Sequence, residues 1–408
     1  MSFSNRDKQI LRDLAKQVAD IAAHPYNAER REMWKRHNRL EKVKPMVLVF
    51  PEGAWRELLP HTVLRCEDQS ARELEWHLRH LIYRWEHLRD DNVIEPWIKI
   101  GLDYRTTGWG LEPRRIPSTV AEGSWGFDPV LKDFSDIKKL RFPELVIDEE
   151  STQRRFEDVS DAIGDILEVK IHHRIWIDTS LVYELAMLRG LDQLMWDMVD
   201  NPGWLHEVMS FMTEGTNRLL DQVEAYDKLD LNNTDDYVGS GGVGYTDELP
   251  SPGFTGKVRL IDLWGSANAQ ELAVVSPEMH EEFVLQYQRR LLSRFGLNCY
   301  ACCESVTDRL NFVKQIPRLR RISISPWADV RIAAEELQDD YIFSWKPNPA
   351  QLCGHFDPES IRKGIRETIS IAKDCVLEII MKDTHTVEND PSRLWTWVRI
   401  AQEETQAG

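Results

Sequence analysis

The last third of the chain alternates between two hydrophobic periods. Phe283, Tyr287, Leu291 and Phe295 recur at the spacing of one helix face, and the stretch Asn298–Cys303 that follows reads as a strand. Ser276 as N-cap, Pro277 in the first turn and Glu278 against the positive helix end open that helix, and Gly296 stops it. The unit then repeats: helix 308–316 ending at Pro317, strand Leu319–Ser325, a helix capped by Asp329, and strand Tyr341–Trp345. Asp357-Pro358 opens a helix with Ile361, Ile365 and Ile369 inward. Strand Cys375–Met381 follows, and Asp390-Pro391 opens a last helix with Leu394, Trp397, Val398 and Ala401 as its apolar face.

Upstream the pattern is looser. Ile10, Leu11, Leu14, Val18 and Ile21 predict helix over 1–40, Pro45–Phe50 a short strand, and 68–90 a second helix. Asp91–Asp148 reads as irregular and proline-punctuated, with Trp97–Gly101, Gly108–Gly110 and Gly123–Gly126 along it. After Glu149 come a helix near 151–167, a strand around Lys170–Ile177, and a helix over Thr179–Met198. Asn201-Pro202-Gly203 breaks that helix, another runs to Ala225, and Leu229–Leu231 is strand-like. Strands alternating with helices on short connections predict parallel strands joined by right-handed crossovers. The length favours an α/β fold of the (β/α)8 TIM-barrel type with an N-terminal helical extension. The division expected is an extension over 1–90 packed on a barrel over 91–408.

Composition narrows the partners. A net charge of -17 leaves no basic excess for nucleic acid or for an anionic membrane surface. No apolar run reaches the roughly 20 residues that span a bilayer. Residues 1–27 are charged and amphipathic, without a signal-peptide core. Six cysteines without regular spacing predict a reduced, cytoplasmic protein.

In such a barrel the site is built where strands end. Four strand ends carry unusual polar groups: Cys302-Cys303-Glu304, Ser325-Pro326-Trp327, Lys346-Pro347-Asn348 and Asp383-Thr384-His385. Strand parity puts Tyr300, Cys302 and Glu304 on one face, and Asp383 with His385 on one face of the last strand. A thiolate, a carboxylate and an imidazole from Cys302, Glu304 and His385 would then meet across the mouth. That set suits Zn²⁺ with a fourth position open, and Cys303 and Asp383 stay open as ligands. Cys66, Cys353 and Cys375 read as packing residues. The run Gly239-Ser240-Gly241-Gly242-Val243-Gly244 lacks the lysine of a phosphate loop and reads as a mobile loop over the site. Asp235 and Asp236 stand between a turn role and hydrogen bonding to substrate. Trp264, Trp327, Trp109 and Trp345 are candidate walls for a flat substrate.

Residues Pro45–Trp55, Tyr245–Pro250, Ser276–Met279, Tyr300–Glu304, Ile322–Trp327 and Met381–His385 resemble the uroporphyrinogen decarboxylase-like superfamily, in particular its corrinoid-dependent methyltransferase branch. The resemblance spans about residues 40–405. Zinc methyltransferases of this superfamily carry His-x-Cys on the corresponding strand and a further Cys on the last. Here Tyr300 stands where that His would be, Cys302 matches the first Cys, and Asp383–His385 stands near the second. The decarboxylase's own Arg-Gln-Ala-Gly-Arg run is absent.

The resemblance implies a demethylating component. It would move a methyl group from a small donor, an aromatic methyl ether (O-demethylation), to the cob(I)alamin of a separate corrinoid protein. Zinc held by Cys302, Glu304 and His385 would activate the leaving oxygen, with Glu304 and Asp236 catalytic and Trp264, Trp327 and Tyr300 against the substrate. The alternative is a lyase acting on a tetrapyrrole or other carboxylate, which wants several arginines at the mouth. A homodimer is compatible with the sequence.

Overall fold

The computed structural model describes residues 3–120 and 125–406, so Gly123 and Ser124 lie outside the described residues. Eight barrel strands run parallel in two sets: β1 Met46–Val49, β2 Trp97–Gly101, β3 Glu168–His172, β4 Trp264–Ala267, β5 Leu297–Tyr300, β6 Leu319–Ile324, β7 Ile342–Trp345 and β8 Val376–Met381. Strands β4, β5, β6, β7, β8 and β1 form one ladder in that order, while β2 pairs with β3. Backbone and side-chain groups of Asp91, Asp230 and Asn232 bridge the gaps between the sets. The Asp91 amide donates to Val47 O at 2.7 Å, and its carboxylate accepts from Val47 N at 2.8 Å. Beyond β3, the Asp230 amide donates to His173 O at 3.2 Å. Asn232 imitates a strand there: its Oδ1 accepts from Trp264 N at 2.9 Å and its Nδ2 donates to Trp264 O at 3.0 Å. The α/β barrel architecture expected from the sequence is present, with a seam between β3 and β4 spanned by side chains.

Alternation along the strands separates two layers. Val47, Val49, Tyr300, Ile322, Ile324, Phe343, Leu377, Ile379 and Met381 join the apolar layer beneath the outer helices. The opposite parity, with Cys299, Arg321, Ser344 and Glu378, makes a polar cluster in the lumen. Helices α1 (Asn5–Ala22) and α2 (Pro25–Asn38) precede β1, and α3 (Gln69–Tyr83) follows it. Leu11, Leu14 and Val18 of α1 pack on Leu74, Leu78 and Ile82 of α3. The end of α2 reaches the lumen, where His37 Nε2 lies 3.1 Å from Glu378 and the Asn38 amide donates to Val243 O and Tyr245 O.

Several expectations are corrected. The barrel takes in residues from 46, because β1 pairs with β8, so the boundary does not fall at 90. The predicted helix over 1–40 is two helices, Pro25 opening the second. The helix over Thr179–Met198 is also two, parted by Gly190 at φ 89°. β3 stops at His172, short of Ile177. Trp97–Gly101 is a barrel strand, and β4 is a strand that the sequence reading passed over. The glycine run is no mobile cover. Tyr237–Val238 pairs with Gly242–Val243 as a hairpin packed in the lumen. A Cβ on Gly239 would lie 2.5 Å from Cys299 Cβ, and one on Gly242 would lie 2.3 Å from Arg321 Cζ.

Candidate active site at the barrel mouth

The chain leaves β5 through Ala301 at φ 70°, which ends strand parity one residue before the cysteines. Cys302 is thereby aimed at the mouth. Its Sγ lies 3.5 Å from Cys303 Sγ, 3.3 Å from Ser240 Oγ and 3.8 Å from Lys382 Nζ. The Lys382 ammonium also donates to Ser240 Oγ at 3.2 Å and lies 3.8 Å from Asp383 and 4.0 Å from Glu52. The hydrogen bond from Cys303, then Lys382 and Ser240, hold the Cys302 thiol below its ordinary pKa, while Cys303 is pushed up by the same contact and by burial. Burial works against the Lys382 charge, but Tyr237, Cys302, Asp383 and Glu52 outweigh it and raise its pKa. The Tyr237 phenol is also raised, to about 12, because burial outweighs the nearby Lys382 charge.

Below lies a second cationic group. Lys346 is buried, donating to Ser344 Oγ at 2.5 Å and to Ser344 O at 3.1 Å, and burial lowers its pKa to about 7. Lys346 stands at one of the four polar strand ends expected at the mouth, whereas Lys382 and Ser240 were not among the candidate site residues. A signal for Lys382 was available: it continues the inward parity of Glu378 and Ile380 on β8.

A cavity of about 400 Å³ opens beside this cluster. Cys302, Lys382, Ser240 and Asn268 line its polar end, and Tyr104, Trp176 and Trp264 stand in its wall. Among the described residues Arg174 is the one arginine in its lining, and it already donates to Tyr237 O at 2.7 Å. Asp236 sits apart, in an ion-pair network at the ends of β2 and β3. His172 Nε2 lies 2.6 Å from its Oδ1, Lys99 Nζ 3.2 Å from its Oδ2, and Thr234 Oγ donates to it at 3.1 Å. Burial would raise the Asp236 pKa, but His172 and Lys99 hold it well below the carboxylate range.

The residues expected to act together do not all meet. Glu304 is buried with both oxygens turned to backbone, accepting from Ala269 N at 2.8 Å and Cys302 N at 2.9 Å. It clamps the loop that presents Cys302. Tyr300 points outward and donates to Gln288 at 3.0 Å beneath the helix over 277–292, away from any substrate. His385 is exposed beside Gly53. Trp264 lines the cavity as expected, whereas Trp327 is 72% exposed on the rim. Trp109 is buried beside Glu184, to which its indole donates, and Trp345 packs in the outer layer.

These positions do not fit the expected zinc ligation. Among the described residues no group of three or more His, Cys, Asp and Glu side chains is arranged to hold a metal ion. Cys303 Sγ does approach Asp383 at 3.6 Å. The Lys382 ammonium, however, stands within 3.8 Å of both Cys302 and Asp383, so a fixed positive charge already serves these donors.

Comparison with protein-family models finds no match, and neither does comparison with curated protein sequences. Among solved structures the chain is similar to a methyltransferase from Methanosarcina mazei. The TM-score is 0.51 and the identity 10%, over 90% of this chain and 97% of that one. At that identity the likeness concerns the fold. Among the described residues no helix is long and apolar enough to cross a membrane.

Proposed function

We propose that this chain is a methyltransferase that moves a methyl group from an aryl methyl ether to the cob(I)alamin of a separate corrinoid protein. The observation that carries the reading is the Lys382 ammonium, held by Ser240 and Cys302 at the head of a cavity walled by Tyr104, Trp176 and Trp264. Cob(I)alamin supplies the nucleophile, and the ether oxygen must leave as an anion. A phenol with a pKa near 10, judged by tyrosine, leaves as phenolate far more readily than an alkoxide.

Lys382 takes the part that the sequence reading gave to zinc. Its pKa lies above the ordinary lysine value, so it stays charged and stabilises the phenolate rather than giving up its proton. Tyr237, neutral because its own pKa is raised, adds a hydroxyl nearby. Asp236, locked among His172, Lys99 and Thr234, positions the cavity wall and is not in the path of the methyl group. Trp327 and Trp176, 72% and 54% exposed, give the corrinoid protein an aromatic rim to meet. The carboxylate-lyase reading has less support, because among the described lining residues Arg174 alone supplies a guanidinium.

The test is an anaerobic assay with free cob(I)alamin and a panel of methoxylated aromatics, following conversion of cob(I)alamin to methylcobalamin, with metal content measured on the same preparation. Wild type should turn over at least one donor. Lys382→Met should lose about 10²–10³ in rate. Turnover by Lys382→Met at the wild-type rate would remove the ammonium from the mechanism.

A further inference from the structure

The cavity is larger than a single ring requires. A cavity of roughly 150 Å³ already holds benzene, and this one measures about 400 Å³. Its two ends also differ in chemistry. One end is the polar head at Cys302, Ser240 and Lys382, beyond the C-terminal ends of the strands. The other is lined by Leu220, Val223, Leu229, Leu260, Leu263 and Phe295, each 7% exposed or less. Leu260, Leu263 and Phe295 precede β4 and β5, so this end lies toward the opposite side of the barrel, beneath the helix Pro202–Ala225 that carries Leu220 and Val223.

The seam explains how one cavity reaches both ends. All four residues of β4 line it, although alternate residues of a strand face opposite sides. That requires the cavity to pass β4 at an edge, and the edge toward β3 is where Asn232 replaces a ladder. Gly265 contributes to the clearance: a Cβ there would stand 2.5 Å from the Phe295 ring.

We infer that the cavity is a two-compartment site for an amphiphilic aromatic ether, whose methoxy head lies at Lys382 and whose uncharged alkyl or aryl arm enters the Leu220–Val223–Leu260–Leu263 slot. This rests on the proposed function for the identity of the head, while the arm rests on the slot alone. The Leu220, Val223, Leu260 and Leu263 side chains offer no hydrogen-bonding group, so a charged or strongly hydrogen-bonding substituent would be desolvated against them.

The experiment measures binding without corrinoid, through quenching of the tryptophan emission to which Trp264 and Trp176 contribute. The ligands are methoxybenzene and its para-methyl, ethyl, propyl and butyl derivatives, together with the corresponding free phenols. Affinity should rise about fourfold per methylene in wild type. That dependence should disappear in Val223→Phe and in Leu260→Phe, two fillings from separate elements, each checked for folding by its thermal transition. A flat series in wild type, or an undiminished dependence in both folded variants, overturns the slot. A dependence on arm length shared by ethers and phenols, with no methyl transfer to cob(I)alamin, upholds the slot and overturns the methyltransferase reading.

Discussion

The lumen holds two polar clusters one above the other, and they differ in completeness. The lower one joins Arg321, Glu378, Asn38, His37 and Ser344, all at most 1% exposed. Arg321 Nε lies 2.9 Å from Glu378, and its Nη2 donates to Asn38 Oδ1 at 2.7 Å. Each charge there has an opposite charge, and a helix end closes the cluster from below. The upper one has the Lys382 ammonium near Cys302, Asp383 and Glu52 at 3.8–4.0 Å, with a cavity on its open side. Buried polar groups that satisfy one another fix a structure, whereas groups with capacity left over and space beside them can receive a ligand.

The largest effect expected from breaking this contrast lies in the lower cluster. Glu378→Ala strands the Arg321 charge in the lumen and should cost about 3–5 kcal/mol in denaturant unfolding. A companion test is pH. Burial alone would raise the Glu378 pKa, but Arg321, His37 and Lys346 hold it well below the ordinary value. The stabilisation is therefore fully present above the unfolded glutamate pKa of about 4.3 and is lost as pH falls below it. Glu378→Gln should show a flatter fall in stability on acidification than wild type.

A smaller effect is expected in the upper cluster, on reactivity rather than stability. Cys302 is held toward thiolate by Cys303, Lys382 and Ser240, so it should alkylate with iodoacetamide below the ordinary cysteine range near pH 8.5. In Lys382→Met the pH profile of alkylation should move upward, read by mass spectrometry of the peptide holding Cys302. An unmoved profile would separate the thiol from the ammonium. The smallest effect should come from His385→Ala. Its ring is exposed and outside the cluster, so activity should stay within about twofold and stability within about 0.5 kcal/mol.

The contrast also marks what could be read from the chain alone. Most strands and helices after residue 276 were legible because caps, prolines and apolar periods agreed, as at Ser276-Pro277 and Asp357-Pro358, while the helix expected over 308–316 is a 3-10 turn at Thr307–Arg309 and one helical turn at Leu310–Val313. The mouth was legible as a place, since Cys302 and the end of β8 do converge there. Which side chains face it was not. Parity placed Tyr300 with Cys302, but Ala301 at φ 70° turns the chain between them, and Asp383 at φ 57° does the same after β8. Left-handed residues other than glycine leave little trace in sequence. Glu304 looked like a ligand because its role, holding two backbone amides, depends on a loop that folds back only in three dimensions. Strand β4 was missed because Trp-Gly-Ser-Ala is short and lacks alternation, and the Asn232 side chain supplies bonds that a neighbouring backbone would ordinarily make.

The hairpin through Gly239 and Gly242 carries a consequence for how this protein can change over generations. Side chains at those two positions would collide with Cys299 and Arg321, so the lumen behaves as a keyed lock with no free play. Selection for new substrates would find few viable variants there. It would be channelled instead to the helix Pro202–Ala225 and the residues before β4, where bulk can be traded one methylene at a time without disturbing the charged centre.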